Sequence, residues 1–146
     1  MIFCDMSIQE KQVGLTKDVG WQFGLRKTFA CSQESLWDFM FSSKGLAIWL
    51  GELSDELEVK KLYKTLDGIE GLVRVFIPYS HIRMDWKRID WDNFSRLQVR
   101  VMGNENKATI SFHHEKLLDK GQREEMKLYW NGKMHVIGEA LKKHKT

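Results

Sequence analysis

Apolar residues recur along the C-terminal stretch 119–143 with helical spacing. Met126, Trp130, Met134, Ile137 and Leu141 follow one another at intervals of four, four, three and four, one stripe of a 3.6-residue period. On a helical wheel the five fall within a sector roughly 80° wide, flanked by Tyr129 and Ala140. Glu125, Leu128, Asn131, His135 and Glu139 point the other way, and only Leu128 among them is apolar. Glu124 and Glu125 lie early and Lys142, Lys143 and Lys145 late, the order that a helix dipole favours. Such a helix needs a broad apolar partner.

The middle of the chain supplies it with a period of two. Ile82, Met84 and Trp86 alternate with Arg83, Asp85 and Lys87; Leu97, Val99 and Val101 alternate with Arg96, Gln98 and Arg100; Ile110, Phe112 and His114 alternate with Thr109, Ser111, His113 and Glu115. Each segment has one apolar and one polar face, as in an antiparallel sheet with one wet side. Two further strands are expected at about 57–64 and 72–77, joined by the Asp67-Gly68 turn signal and closed by Pro78. Near the start, Trp21, Phe23, Leu25 and Lys27 alternate with Gln22, Gly24, Arg26 and Thr28, a strand over about 19–31. Ser32 then caps a helix carrying Leu36, Trp37, Phe39, Met40 and Phe41. Gly45 is expected to break it, with a short second turn reaching Trp49. Residues 1–18 are expected to form an N-terminal arm, in which Ser7-Ile8-Gln9-Glu10 offers a short helix cap, and 19–146 one domain. The order implies an α+β fold: a curved antiparallel sheet of about six strands around a long C-terminal helix, with two short helices after the first strand.

Three stretches carry a resemblance. They are Arg26-Lys27-Thr28-Phe29 with Ser32-x-Glu34-x-x-Trp37, Gly45-Leu46-x-x-Trp49-Leu50-Gly51, and Ala108 through Glu115 followed by Trp130. In this order and spacing the chain resembles the helix-grip fold of the START-like, or SRPBCC, superfamily, and within it homologues of the activator of the heat-shock-90 ATPase. The resemblance implies a cavity between the last helix and the sheet that takes a hydrophobic small molecule. It implies as an alternative a single-domain, co-chaperone-like interaction module, and with least support an enzyme using the cavity. Members often carry Gly before the final-helix Trp, where this chain has Tyr129.

Composition narrows the chemistry. The 146 residues, 42% hydrophobic and 29% charged, suffice for one core. A net charge of +3 is too small to suggest a nucleic-acid protein. No apolar run nears the roughly 20 residues that span a bilayer. Met1 to Asp5 lack the basic start and apolar core of a signal peptide, and Cys4 and Cys31 make no disulfide scaffold, so a cytoplasmic location is expected. No phosphate loop, metal-ligand spacing or nucleophile motif appears, so neither cofactor nor catalytic residue is assigned. A hydrophobic small molecule and a chaperone are the expected partners, with a monomer or homodimer as the assembly. Trp37, Trp49, Met84, Trp86, Phe112, His114, Met126, Tyr129, Trp130 and Met134 are the candidate cavity-lining residues, since aromatics, methionines and a few polar groups are what apolar ligand sites use. His113 and His114 are adjacent on a strand and so face opposite ways, which argues against a shared metal. Arg83, Lys87, Arg96 and Arg100, near Trp91 and Phe94, read as a solvated basic face.

Overall fold

The computed structural model describes residues 15–16 and 20–144. The rest of the 1–18 arm, with its Ser7–Glu10 cap, and Lys145 lie outside the described residues. Ten elements follow in order: β1 (Leu15–Thr16), β2 (Gly20–Phe29), α1 (Gln33–Met40), α2 (Ser43–Trp49), β3 (Leu62–Lys64), β4 (Ile69–Ile77), β5 (His81–Arg88), β6 (Ser95–Gly103), β7 (Ala108–Leu117) and α3 (Lys120–His144). The strands form one antiparallel sheet in the order β1-β2-β7-β6-β5-β4-β3. Hairpins join β3 through β7. The α1–α2 segment carries the chain from β2, near one edge, to β3 at the other. This is the expected helix-grip α+β fold, six main strands plus the two-residue β1.

Local chemistry sets the boundaries. The Ser32 hydroxyl accepts from the Ser35 N–H at 3.0 Å and opens α1, while Ser42 accepts from the Gly45 N–H at 3.1 Å and opens α2. Gly45 was expected to end a helix, yet it lies inside α2. Its role is close approach: a Cβ there would sit 1.9 Å from the Phe39 carbonyl oxygen. The Asp119 carboxylate accepts from the Gln122 N–H at 2.8 Å at the start of α3. The strand expected at 57–64 shrinks to Leu62–Lys64. Upstream of it the chain is acidic and Val59 is exposed, and Lys60, at a φ of 66°, keeps a bond from its N–H to the Val73 carbonyl at 2.8 Å without continuing the strand.

The two periodicities meet as expected. Ile82, Met84, Trp86, Leu97, Val99, Val101, Ile110 and Phe112 are all buried, and so are Met126, Trp130, Met134, Ile137 and Leu141 on α3. Helix α3 lies across β2 and β7 and against α2. Its outer face is wet, with Leu128 78% exposed and open space where a Gly132 Cβ would stand. Burial of large side chains, roughly 1.5–3 kcal/mol each, drives the docking.

Candidate functional site

The sheet and α3 bring most of the candidate residues into one aromatic cluster. The α3 stripe drops Trp130 onto β7, where its ring stacks on Phe112 with centroids 4.6 Å apart. Phe112 in turn meets Trp49 of α2 at 6.3 Å. Trp86 of β5 lies 5.0 Å from the His114 ring, 5.7 Å from Tyr129 and 6.0 Å from Trp130. Met84, Met126 and Met134 are buried in the same core, and Trp37 lies at its α1 end. Tyr129 is partly exposed, held between the Arg88 guanidinium at 4.8 Å and the Lys133 ammonium at 5.0 Å. Burial pushes its hydroxyl up to about 12.

Polar atoms inside this cluster are few. His114 is fully buried, and burial drives its imidazole down to about 3, with the neighbouring His113 adding to the effect. Both its ring nitrogens are engaged: Nδ1 accepts from Trp130 Nε1 at 2.9 Å, and Nε2 contacts the Ser95 hydroxyl at 2.7 Å. A histidine so engaged has no free atom to exchange a proton with a ligand. Trp86 Nε1, by contrast, is buried and meets no acceptor among the described residues. His113 faces the other way, bonded to Gln22 at 2.8 Å, so the two histidines share no site. No group of three or more potential ligand side chains that would hold a metal occurs among the described residues.

An opening stands beside this cluster. A cleft of about 850 Å³ runs between α2, the 51–57 segment and the end of β4. Phe41, Leu46, Leu53, Leu57 and Phe76 give it an apolar wall, and Glu52, Asp55 and Glu56 give it an acidic rim. None of the ten candidate residues lines it. Phe41 connects the two regions, stacked on Trp37 at 4.1 Å and edge-on to Trp49 at 5.7 Å. Periodicity draws attention to Phe41 and Phe76 only as core residues. The 51–57 wall has no period at all, and its shape depends on Gly51 at φ 130°, where a side chain would meet Asp67 and Thr65.

No protein-family model matches the sequence, and no curated protein matches it by sequence. Solved structures do match in fold. DynU16, a putative protein in the dynemicin biosynthetic locus, superposes with a TM-score of 0.74 at 12% identity over 83% of this chain. The chain spans about half, 47%, of that protein's length. An HSP90 activator from Plasmodium falciparum gives a TM-score of 0.71 at 20% identity, over 82% of this chain and 95% of that one. The AHSA1 protein from Silicibacter pomeroyi gives 0.65 at 19% identity, over 84% and 99%. The chain therefore shares the helix-grip fold of these structures. No helix among the described residues is long and apolar enough to cross a membrane.

Proposed function

We propose that this protein binds an apolar or amphipathic small molecule that enters through the cleft beside α2 and rests against the aromatic interior under α3. The continuity of rings from the cleft inward carries this reading: Phe41 to Trp49 at 5.7 Å, Trp49 to Phe112 at 6.3 Å, Phe112 to Trp130 at 4.6 Å. The size is that of ligand clefts in general, about 300–1,000 Å³. Trp37 and Trp49 stand directly behind Phe41, so they are the first of the ten candidates such a molecule would reach. Met84, Phe112, His114, Met126, Tyr129 and Met134 come into play only if it displaces Phe41. Trp86 Nε1, a buried donor without an acceptor among the described residues, lies deeper in the same interior and would serve as a polar handle only after that displacement. The acidic rim favours a neutral or cationic head group over an acid.

A thermal-shift and native mass-spectrometry screen over apolar amines, neutral molecules and acids tests this. A true ligand raises the melting temperature and forms a one-to-one adduct, and both are lost in Ala47→Trp, which fills the cleft from its exposed side. A screen without adducts, or a shift that survives Ala47→Trp, overturns the reading.

A co-chaperone-like role is the second reading. It rests on the coverage of the two activator-type structures, which the fold matches over 95% and 99% of their length. The ATPase rate of a cognate heat-shock-90 chaperone, measured with and without excess protein, decides it; no change rejects it.

A further inference from the structure

The outer face of the sheet is unevenly charged. Strand register lines up three rungs across it. Glu115, Arg96 and Asp85 stand side by side on β7, β6 and β5. The next rung runs Gly24, His113, Gln98, Arg83, and the next Arg26, Ser111, Arg100, His81. On the first rung and beyond it the charges are matched. Arg74 and Arg96 both reach Asp85, at 2.8 and 3.5 Å, and Lys87 reaches Glu70 at 3.8 Å. On the other two rungs His113 lies 3.9 Å from Glu115, but Arg26, Arg83 and Arg100 take part in no ion pair among the described residues. Among the described residues Arg83 bonds the neutral Gln98 amide, at 2.9 Å. The His81 imidazole is held below its ordinary value, first by burial and then by Arg100 and Arg83, a sign of the local positive potential.

The shape is as uneven as the charge. Gly24 leaves its position on the outer face without a side chain, and a shallow trough of about 370 Å³ opens over Gly24 and Ser111, bordered by Arg26, Arg100, Gln98 and His113. Two guanidinium groups without acid partners, Arg26 and Arg100, thus border the notch, and a third, Arg83, stands one strand further on beside Gln98.

We propose that this face docks an acidic segment of a partner protein, laid across the strands over Gly24 and Ser111. Arginine's planar fork is suited to carboxylates. The patch spans four strands, about 15 Å at ~4.8 Å per strand, room for two or three carboxylates on one side of an extended chain. An open face gives a single carboxylate little, because water screens the pair, so several must engage together. A nucleic acid is a poorer match. The net charge is only +3, and the two rungs carry no Phe, Tyr or Trp on which bases would stack.

Fluorescence anisotropy with a labelled eight-residue glutamate peptide at 50 mM salt tests the proposal. Arg26→Gln/Arg100→Gln is expected to weaken binding at least ten-fold, while Lys127→Gln/Lys142→Gln, with the same loss of charge elsewhere, changes it less than two-fold. Amide shifts on titration are expected at Gly24, Arg100 and Ser111 and not along 51–57. Absence of binding, equal loss in both double variants, or a single-stranded oligonucleotide of equal charge binding more tightly through the same arginines would each overturn it.

Discussion

The indole N–H of Trp130 donates to Nδ1 of His114 across 2.9 Å, and this one bond fixes the protonation of the buried imidazole. An indole nitrogen only donates, so Nδ1 must accept. The neutral ring then carries its proton on Nε2 and gives it to the Ser95 oxygen at 2.7 Å, and the Ser95 hydroxyl donates to the Trp86 carbonyl at 2.6 Å. The chain of donors ties α3 to β7, β6 and β5 at their apolar centre. Charging His114 would add a proton at Nδ1 and set two donors against each other.

Stability is therefore expected to depend on pH through His114. Its folded value, about 3, lies below the ordinary 6.5, so the unfolded chain holds the extra proton between those limits. The contribution is complete above about pH 6.5 and is lost as the pH falls towards 3, at up to roughly 1.4 kcal/mol per pH unit. Urea denaturation of the wild type and His114→Phe between pH 4.5 and 7 checks this. The variant's stability is expected to fall less steeply, by up to one proton; equal slopes would show that His114 is not the group responsible.

The same bond predicts coupling. Trp130→Phe leaves Nδ1 of His114 buried without a donor, and His114→Phe leaves the indole N–H without an acceptor. Each is expected to cost about 2–4 kcal/mol, from lost packing and a stranded polar group. The double variant strands neither, so it is expected to cost about 1–2 kcal/mol less than the sum of the singles. Additivity within about 0.3 kcal/mol would deny the bond any energetic role.

How far this architecture is readable in advance depends on whether neighbours in sequence decide it. Alternation along 109–115 suffices to turn His114 inward and His113 outward, and the helical wheel correctly leaves Leu128 in water. Those are local periods. The cleft is not local: its wall is an aperiodic segment shaped by Gly51 and by what α2 and β4 bring to it. Arg26 meets Arg100 only because β2 pairs with β7, which in turn pairs with β6, so the basic face at first sight comprised Lys87 and Arg96, which prove to be matched by acids, and lacked Arg26. Trp91, near that face in sequence, is buried against Trp86 at 5.4 Å.

Gly71 and Gly132 are expected to respond oppositely to alanine. The Tyr63 hydroxyl reaches over Gly71 to donate to the Asp85 carbonyl at 2.6 Å, and a Cβ on Gly71 would lie 1.8 Å from that oxygen and 2.8 Å from the hydroxyl. Backbone on one side and a buried ring on the other cannot both yield, so Gly71→Ala is expected to cost more than about 3 kcal/mol. Gly132 faces open space on α3, and Gly132→Ala is expected to stabilise by up to about 1 kcal/mol through helix propensity. Thermal unfolding of both variants checks the pair.

Trp49 offers the most direct test of how α1 and α2 are locked together. Met40 is the last residue of α1, and its carbonyl has no helical partner ahead of it. The Trp49 indole N–H supplies one from α2, at 2.8 Å and fully buried. The same ring contacts Phe41 on the cleft side and Phe112 on the sheet side, so one residue both caps a helix and joins the cleft wall to the core. Trp49→Phe keeps an aromatic ring but removes the donor and part of the volume. It is expected to destabilise by about 2–4 kcal/mol in denaturant titration, against less than about 0.5 kcal/mol for Leu128→Ala on the wet face of α3. A loss below about 1 kcal/mol would mean that the Met40 carbonyl is satisfied without the indole, and that the α1–α2 corner is held by Ser42 and the close approach at Gly45 instead.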